Sequence, residues 1–187
     1  SGRGETRRVE GIVHWEELIE LQEANHYKAT VAHVEADCVN YRGFYTACLT
    51  YVSFLIEKDR YSDALPWVHK AIAQMSKAKL RAYSPLYVRT LQQRAQIQLD
   101  CHHIHDALED FDLCTELNTK LFTSDSVQVA ACLSDKARYV QYITEPSKGE
   151  FDEALDLATR GLEILDRKLD KNSPRLLPSL RVLGCLL

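Results

Sequence analysis

Three stretches of the sequence resemble one another and decide the fold: Tyr61-Ser62-Asp63-Ala64-Leu65, Ile104-His105-Asp106-Ala107-Leu108 and Phe151-Asp152-Glu153-Ala154-Leu155. Each has a bulky apolar residue, then two polar residues of which the second is acidic, then Ala-Leu at the start of an amphipathic run. The three alanines are separated by 43 and 47 residues. A repeat of this length is typical of solenoids built from helical hairpins, which expose long surfaces to other chains. The pattern therefore predicts a fold class and, with it, a role in binding proteins.

The rest of the sequence extends this helical pattern in both directions. Apolar residues recur at helical spacing in nine segments, and no strand-length run alternates between apolar and polar residues. Each predicted helix carries one apolar stripe with a small residue in it, which is what a layered stack of hairpins needs. The prediction is an all-α, right-handed solenoid of antiparallel helical hairpins with about nine helices.

Turn and capping residues set the predicted boundaries between these helices. Ser84-Pro85 and Ser173-Pro174 each combine an N-cap serine with a proline at the first helical position. His26-Tyr27 separates the first two helices, and Tyr41-Arg42-Gly43 closes the second. The seventh helix is capped by Thr123 or by Ser124-Asp125. These boundaries give about four hairpins and one additional helix.

The chain divides into a short tail and one domain. Residues 1–10 are rich in Gly, Arg and Glu, which predicts a disordered tail or a remnant of protein expression. Residues 11–187 form a single helical-repeat domain. The last helix ends in Gly184-Cys185-Leu186-Leu187 without a capping residue. Because terminal repeats normally carry a polar outer face, we expect a fragment of a longer protein or a last helix that docks on the preceding hairpin.

Composition excludes several classes of function. The net charge is only −4, and no apolar run is long enough to cross a bilayer, so neither a nucleic-acid surface nor a membrane span is expected. The six cysteines are scattered without a C-x-x-C pair: Cys38, Cys48, Cys101, Cys114, Cys132 and Cys185. Most fall on apolar helix stripes, which predicts buried free thiols in a reducing cytoplasm.

Two clusters raise the question of a chemical site. Cys101-His102-His103 and His105 crowd one turn, but adjacent ligands on a helix end point apart, so no metal site is predicted. Glu35 and Asp37 lie near His33, and helical spacing explains them as a solvated face. The sequence has no Gly-rich phosphate loop, no Gly-x-Ser-x-Gly and no His-Glu-x-x-His motif. We therefore expect neither an enzyme nor a cofactor.

The repeated segments resemble a known family. Ala64-x3-Val68-x2-Ala71 and Ala107-x3-Phe111-x2-Cys114 are similar to the second helix of a tetratricopeptide repeat, which has a small, then a bulky, then a small residue. The third copy, Ala154-x3-Ala158-x2-Gly161, keeps small residues throughout. Ala95 and Leu91 match the small and large positions of the first helix of that repeat. The resemblance implies paired helices that approach closely at the small residues.

The long period resembles the repeats of kinesin light chains more than the usual repeat of about 34 residues. The likeness is carried by Phe151-Asp152-Glu153-Ala154-Leu155, Leu162-Glu163-Ile164-Leu165 and Asn172-Ser173-Pro174. It covers residues 43–187. The asparagine ladder that kinesin light chains carry on their first helices is missing, since Arg94 and Ser134-Asp135 stand near its place.

In this repeat class the first helices of the hairpins line a concave groove. By the resemblance, six side chains of the fifth and seventh predicted helices point into it: Arg89, Gln92, Gln96, Ser134, Arg138 and Gln141. The groove is thus expected to be polar, and its two arginines could hold a carboxylate or backbone carbonyls of an extended or helical peptide. The same residues also suit a solvated helix face without a ligand.

The function expected from these features is a non-catalytic scaffold or adaptor that binds a peptide or helix of a partner protein in the groove. The alternative is a structural subunit of a larger or self-associating assembly that uses its convex face and end caps. The uncapped apolar end from Leu183 to Leu187 motivates this second hypothesis, with self-association through the C-terminal helix.

Overall fold

The computed structural model of the protein describes residues 22–32, 41–77 and 84–187. These residues form eight α-helices and two short 3-10 helices, and none of them lies in a β-strand. The all-α prediction is therefore confirmed for the described chain. The predicted tail at residues 1–10, most of the predicted first helix, Cys38 and the cluster around His33 lie outside the described residues.

The helices follow one another with short connections. Helix α1 covers residues 22–32. The later α-helices are α2 (Tyr41–Glu57), α3 (Tyr61–Lys77), α4 (Pro85–Asp100), α5 (Ile104–Leu121), α6 (Val127–Ala137), α7 (Lys148–Lys168) and α8 (Leu177–Leu186). The 3-10 helices are Arg138–Tyr142, directly after α6, and Pro174–Leu176, directly before α8.

Seven of these helices form three antiparallel hairpins followed by a single helix. The pairs α2 and α3, α4 and α5, and α6 and α7 pack along their lengths, and each hairpin meets the next element through α3 on α4, α5 on α6 and α7 on α8. The core is continuous through this stack, with Tyr51, Leu91, Phe111 and Ala154 fully or almost fully buried. Each buried large side chain contributes about 1.5–3 kcal/mol, so the apolar stripes predicted from the sequence hold the hairpins together.

The paired helices cross at small residues. The Cys114 thiol of α5 lies 3.5 Å from the carbonyl oxygen of Val88 on α4. At the equivalent place on α7, a Cβ added to Gly161 would lie 2.9 Å from the carbonyl oxygen of Ala130 and 2.7 Å from Ser134 Oγ. These contacts leave no room for a larger residue, as the small positions of the repeat pattern predicted.

Two of the hairpin turns have the same geometry one repeat apart. Asp59 and His102 adopt left-handed backbone conformations, with φ of 55° and 60°. After each, the next amide donates to a carbonyl five residues earlier: Arg60 to Leu55 at 2.8 Å and His103 to Gln98 at 2.8 Å. Such bonds cap the carbonyls at the end of a helix.

The third hairpin has a longer turn. The 3-10 helix Arg138–Tyr142 and residues 143–147 connect α6 to α7. Ser147 then begins α7 with a capping box in which its hydroxyl accepts from the Glu150 amide and Glu150 accepts from the Ser147 amide. These added residues account for the longer second repeat period of the sequence.

Several predicted boundaries differ from the structure. His26-Tyr27 lies inside α1, where Tyr27 stacks on Tyr51 at 5.8 Å between ring centroids, so packing against α2 overrides the expected break. Tyr41-Arg42-Gly43 begins α2 and does not end a helix. Ser126, not Thr123 or Ser124, caps α6 by accepting from the Val129 amide at 3.2 Å. Turn-forming and capping residues in the sequence therefore did not predict these helix ends correctly.

The structure places one proline inside a helix and tests the two predicted serine-proline helix starts. Pro66 lies inside α3, at the sixth residue of the helix, and not in its first turn. Ser84 is the N-cap of α4 ahead of Pro85, but its side chain makes no capping hydrogen bond. Ser173 does cap the 3-10 helix before α8, since its hydroxyl accepts from the Arg175 amide at 3.4 Å.

Candidate protein-binding surface

The first helices of the hairpins, α2, α4 and α6, together with α8, form one surface that we call the first-helix face. Two clefts on this face are lined by residues from neighbouring first helices. Five of the six predicted site residues line these clefts: Arg89, Gln92, Gln96, Arg138 and Gln141. The residues that the resemblance assigned to the groove therefore lie near one another in the fold.

Side-chain hydrogen bonds join α4 to α6 and to the 3-10 helix that follows α6. Gln92 Nε2 donates to Asp135 Oδ2 at 2.5 Å, and Arg138 Nη1 donates to Gln96 Oε1 at 2.6 Å. Each bond connects residues about one repeat apart, because α4 and α6 lie side by side.

A third bond extends this series at the end of the two helices. The Tyr142 hydroxyl donates to Asp100 Oδ1 at 2.6 Å, and Arg138 Nη2 lies 3.2 Å from the same hydroxyl. We call the residues of the three bonds the polar ladder: Gln92, Asp135, Gln96, Arg138, Asp100 and Tyr142. The ladder connects α4 to α6 and to the 3-10 helix Arg138–Tyr142.

Burial perturbs two titratable groups of the ladder. Desolvation raises the pKa of the Asp135 carboxyl, although the hydrogen bond from Gln92 and the charge of Arg138 act in the opposite direction. Burial, together with the hydrogen bond to Asp100, raises the pKa of Tyr142 to about 12. Tyr142 thus remains a neutral hydrogen-bond donor at neutral pH.

The first cleft lies between α2 and α4 and has a volume of 500 Å³. Leu49 and Ser53 of α2 form one wall, and α4 contributes the exposed residues Leu86 and Arg89. Gln96 also lines this cleft, and its buried Nε2 atom has no hydrogen-bond partner in the described chain. The cleft therefore combines apolar walls with an exposed guanidinium.

The second cleft lies between α6 and α8 and has a volume of 430 Å³. Asp135, Arg138 and Gln141 form the wall on the α6 side. The opposite wall is lined by α8 residues, which include Leu177 and the exposed Arg181. The polar ladder separates the two clefts, since Gln92 and Gln96 line the first and their partners line the second.

Ser134 does not face the groove in which the sequence placed it. It is 3% exposed, and its hydroxyl lies 2.8 Å from the Ser179 hydroxyl of α8. This expectation is corrected because the turn of α6 that carries Ser134 is covered by α7 and α8. The two serines satisfy each other's hydrogen bonds inside this contact.

The two predicted cations differ in their availability. Arg138 is held by Gln96 and Tyr142, so much of its hydrogen-bonding capacity is used inside the protein. Arg89 is exposed and forms no ion pair with another described residue. Arg89 is thus the better candidate to meet an anionic group of a partner.

Sequence reasoning missed Asp100, Tyr142 and Arg181 as residues of this surface. The first two could have been found from the recurrence of polar residues at spacings of 42 and 43, which matches the shorter repeat period. Arg181 could not, because its place depends on how α8 packs after the longer turn of the third hairpin.

The described part of the chain contains few other side chains that are grouped as a metal or catalytic site would require. One group of three possible metal ligands occurs there, and it consists of the exposed residues His105, Asp106 and Glu109. Cys101, His102 and His103 do not join it. None of the described helices is both long and apolar enough to traverse a bilayer.

The described cysteines are all free thiols. Cys48, Cys114 and Cys132 are buried, as the sequence predicted, whereas Cys101 is half-buried and Cys185 is exposed. A hydrogen bond with the neighbouring Cys132, together with burial, raises the pKa of the Cys114 thiol. The buried thiols therefore act as small core residues.

Comparison with solved structures identifies the fold. The chain is similar to a protein of Podosopora anserina with nearly identical TPR-like repeats of the kinesin light chain type, at 16% identity and a TM-score of 0.68. This match covers 89% of the chain and 77% of that protein. A single-substitution variant of the same protein matches with a TM-score of 0.71, 16% identity and coverage of 89% and 76%.

The structure of BtubC (BKLC) from P. vanneervenii is also similar, with a TM-score of 0.67 and 15% identity. That match covers 89% of the chain and 65% of BtubC. No protein-family model matches the sequence, and no curated protein does. The predictions of tetratricopeptide-like repeats and of a solenoid of helical hairpins are confirmed at the level of the fold.

Proposed function

We propose that the protein is a non-catalytic scaffold that binds a segment of a partner protein along its first-helix face. The observation that carries the proposal is the pair of clefts on either side of the polar ladder. Together they cross α2, α4, α6 and α8, so a partner lying over them would contact every first helix from α2 onward. Folds of this kind use such surfaces to bind other chains.

The chemistry of the first cleft favours an extended peptide. Leu49 and Leu86 offer apolar walls for one side chain, and Arg89 offers a charge-assisted hydrogen bond to a carboxylate or a backbone carbonyl.

The ladder supplies rigidity to this surface. Asp100, Asp135 and Tyr142 are each held by a partner from the neighbouring helix, and we assign them a positioning role without catalysis. A surface that is already ordered loses little conformational entropy on binding. The free thiols of the described chain support a reducing compartment, which we propose is the cytoplasm.

The test compares the wild-type chain with Arg89→Glu. Each tagged protein is used to capture partners from its native cells, partners that depend on the first-helix face are identified by quantitative mass spectrometry, and the purified partner is titrated by calorimetry. We expect Arg89→Glu to weaken binding by about tenfold or more, equivalent to about 1.4 kcal/mol, because it replaces attraction with repulsion.

Arg160→Glu is the matched control, because Arg160 is an exposed arginine of α7, outside the first-helix face. It should bind like the wild type, and both variants should keep the helical circular dichroism of the parent. Equal affinity of wild type and Arg89→Glu for every captured partner would contradict the proposed surface.

A further inference from the structure

The first and second helices of the hairpins carry different charge. Helix α5 has five acidic residues and one lysine, whereas its partner α4 has two arginines and one aspartate. In the third hairpin, α7 has six acidic and four basic residues, and the 3-10 helix that follows α6 has Arg138 and no acidic residue. The first-helix side of these two hairpins is therefore more basic than the second-helix side.

Arginine supplies the available charge of the first-helix face. Arg89 is exposed and forms no ion pair with another described residue. None of the described residues that line the first cleft with it is acidic. The carboxylates of the nearby ladder are engaged, since Asp135 accepts from Gln92 and Asp100 accepts from Tyr142. The face thus offers an uncompensated guanidinium to an anionic surface.

The exposed side of α5 presents the opposite charge in concentrated form. Asp106 and Glu109 are both exposed, and a carboxylate oxygen of each lies within 4.8 Å of the other. Neither forms an ion pair with a lysine or arginine of the described chain, and His105 Nδ1 lies 3.6 Å from Glu109 Oε1. A guanidinium has five N–H donors in a planar fork, so one arginine can bond both carboxylates.

The packing of the second hairpin keeps these carboxylates away from Arg89 of the same chain. Helix α5 contacts α4 through a buried row that includes Ala107 and Cys114, whose thiol lies 3.5 Å from the Val88 carbonyl oxygen. By helical periodicity, Glu109 lies on the side of α5 opposite to this row, with Asp106 next to it. Pairing between these acids and Arg89 therefore requires two molecules.

We propose that a second copy of the chain lies on the first-helix face, with the exposed side of its α5 over the first cleft. In this contact Arg89 of one copy binds Asp106 and Glu109 of the other. The contact joins two different faces, so each added copy leaves one face of each kind open, and the association can continue beyond a dimer. The inference does not require the proposed function, although both use the first-helix face.

The repeat of the chain favours a second copy over another acidic protein. The third hairpin again combines an arginine on the first-helix side, Arg138, with exposed acids on the second helix, Asp152 and Glu153. Both faces are generated by the same hairpins, so a second copy can offer an acidic helix to two first helices at once. Because exposed ion pairs are individually weak and are screened by salt, the association should be reversible and should cover the face only at high protein concentration.

Sedimentation equilibrium of the wild-type chain tests the association. A concentration series is measured at about 0.01 M and about 1 M salt, where the screening length is about 30 Å and about 3 Å. At low salt the average mass should rise with protein concentration and pass that of a dimer. At high salt it should fall toward the mass of the monomer, because the paired charges are screened.

A charge exchange tests which residues meet. Arg89→Glu alone and the double variant Asp106→Lys, Glu109→Lys alone should each weaken the association by about tenfold or more, because like charges then face each other. An equal mixture of the two variants should restore it, because every contact in the mixture again joins opposite charges. Arg60→Glu is the control for net charge, since Arg60 is exposed in the turn before α3, and it should associate like the wild type.

Four results would overturn the proposal: a wild-type monomer at every concentration in low salt, a mass that levels off at the dimer, association of Arg89→Glu equal to wild type, and no recovery on mixing. The first would leave the face to other proteins, and the second would mean that like faces pair. The salt series decides the question if a variant fails to fold. The α5 double variant leaves the first-helix face unchanged, so its capture of partners from cells tests the proposed function separately.

Discussion

Helices α6 and α8 carry apolar residues at equivalent positions, and α6 buries the row that α8 leaves open. On α6, Ala130, Leu133 and Ala137 are covered because α7 crosses them at a glycine. On α8 the equivalent positions, 47 residues later, hold Leu177, Leu180 and Gly184, and both leucines remain exposed. The difference shows that an apolar row on a first helix is not buried by its own sequence pattern. On α6 the row is buried because the second helix α7 packs on it.

The largest effect on stability is expected on α6, where the apolar row is buried. Leu133→Ala removes a buried side chain from the core between α6 and α7. We expect a loss of about 2–5 kcal/mol in the free energy of unfolding, because a cavity adds to the lost burial. Urea denaturation followed by circular dichroism measures it. An unchanged midpoint would show that α6 and α7 are not packed as described.

The crossing itself is tested by Gly161→Leu. The new Cβ would lie 2.9 Å from the Ala130 carbonyl and 2.7 Å from Ser134 Oγ, so the backbones of α6 and α7 must separate. Overpacking of this kind typically costs about 1–3 kcal/mol, and contact with a backbone atom places the expected cost near 3 kcal/mol. Thermal melting reports the loss. Gly149→Leu is the control, since a Cβ there meets only Ser147 Oγ at 4.0 Å.

A smaller effect on stability is expected at Asp135 of α6, on the side of the helix that faces the second cleft. Asp135 aligns with the buried apolar residue Val182, and burial raises the pKa of the Asp135 carboxyl. A raised folded pKa stabilises the protein below the unfolded pKa of about 3.9, and this contribution is lost as the pH rises through the folded value. Asp135→Asn should therefore be more stable than wild type at pH 7, by less than about 1 kcal/mol.

The pH dependence of that difference is the measurement. Chemical denaturation at pH 7 and pH 3.5 should show that the advantage of Asp135→Asn shrinks toward the acidic value. A gain that grows on acidification would mean that the carboxylate is favoured in the folded protein, so Gln92 and Arg138 would outweigh desolvation.

The smallest effect on stability is expected on α8, where the apolar row is exposed. Leu180→Ala changes the equivalent of Leu133, but the side chain is already half exposed. We expect a change within about 0.5 kcal/mol, as for most surface substitutions. A loss as large as that of Leu133→Ala, measured under the same denaturation conditions, would mean that α8 is covered in solution.

Much of this architecture could be predicted from the sequence, because small residues recur where helices cross. The alanine segments indicated the hairpins, and Arg89, Gln92, Gln96, Arg138 and Gln141 do line the clefts of one face. The pattern fixes which side of a helix is apolar, and the repeat fixes which helices are neighbours.

The errors have a common physical origin in contacts between repeats. Ser134 has the spacing of a groove residue, but α8 covers it and Ser179 satisfies its hydroxyl. His26-Tyr27 has the polarity of a turn, but Tyr27 packs on Tyr51 and Phe54 within a continuous helix. Tertiary packing decided both cases, and a pattern within one helix does not contain that information.

The central claim is that a partner lies over the first helices of the stack. Amide hydrogen exchange of the chain with and without a purified partner tests it most directly. The account predicts added protection in α4 and α6, beside Arg89 and the polar ladder, with α5 and α7 unchanged. Protection confined to α5 and α7, with none in α4 and α6, would contradict it.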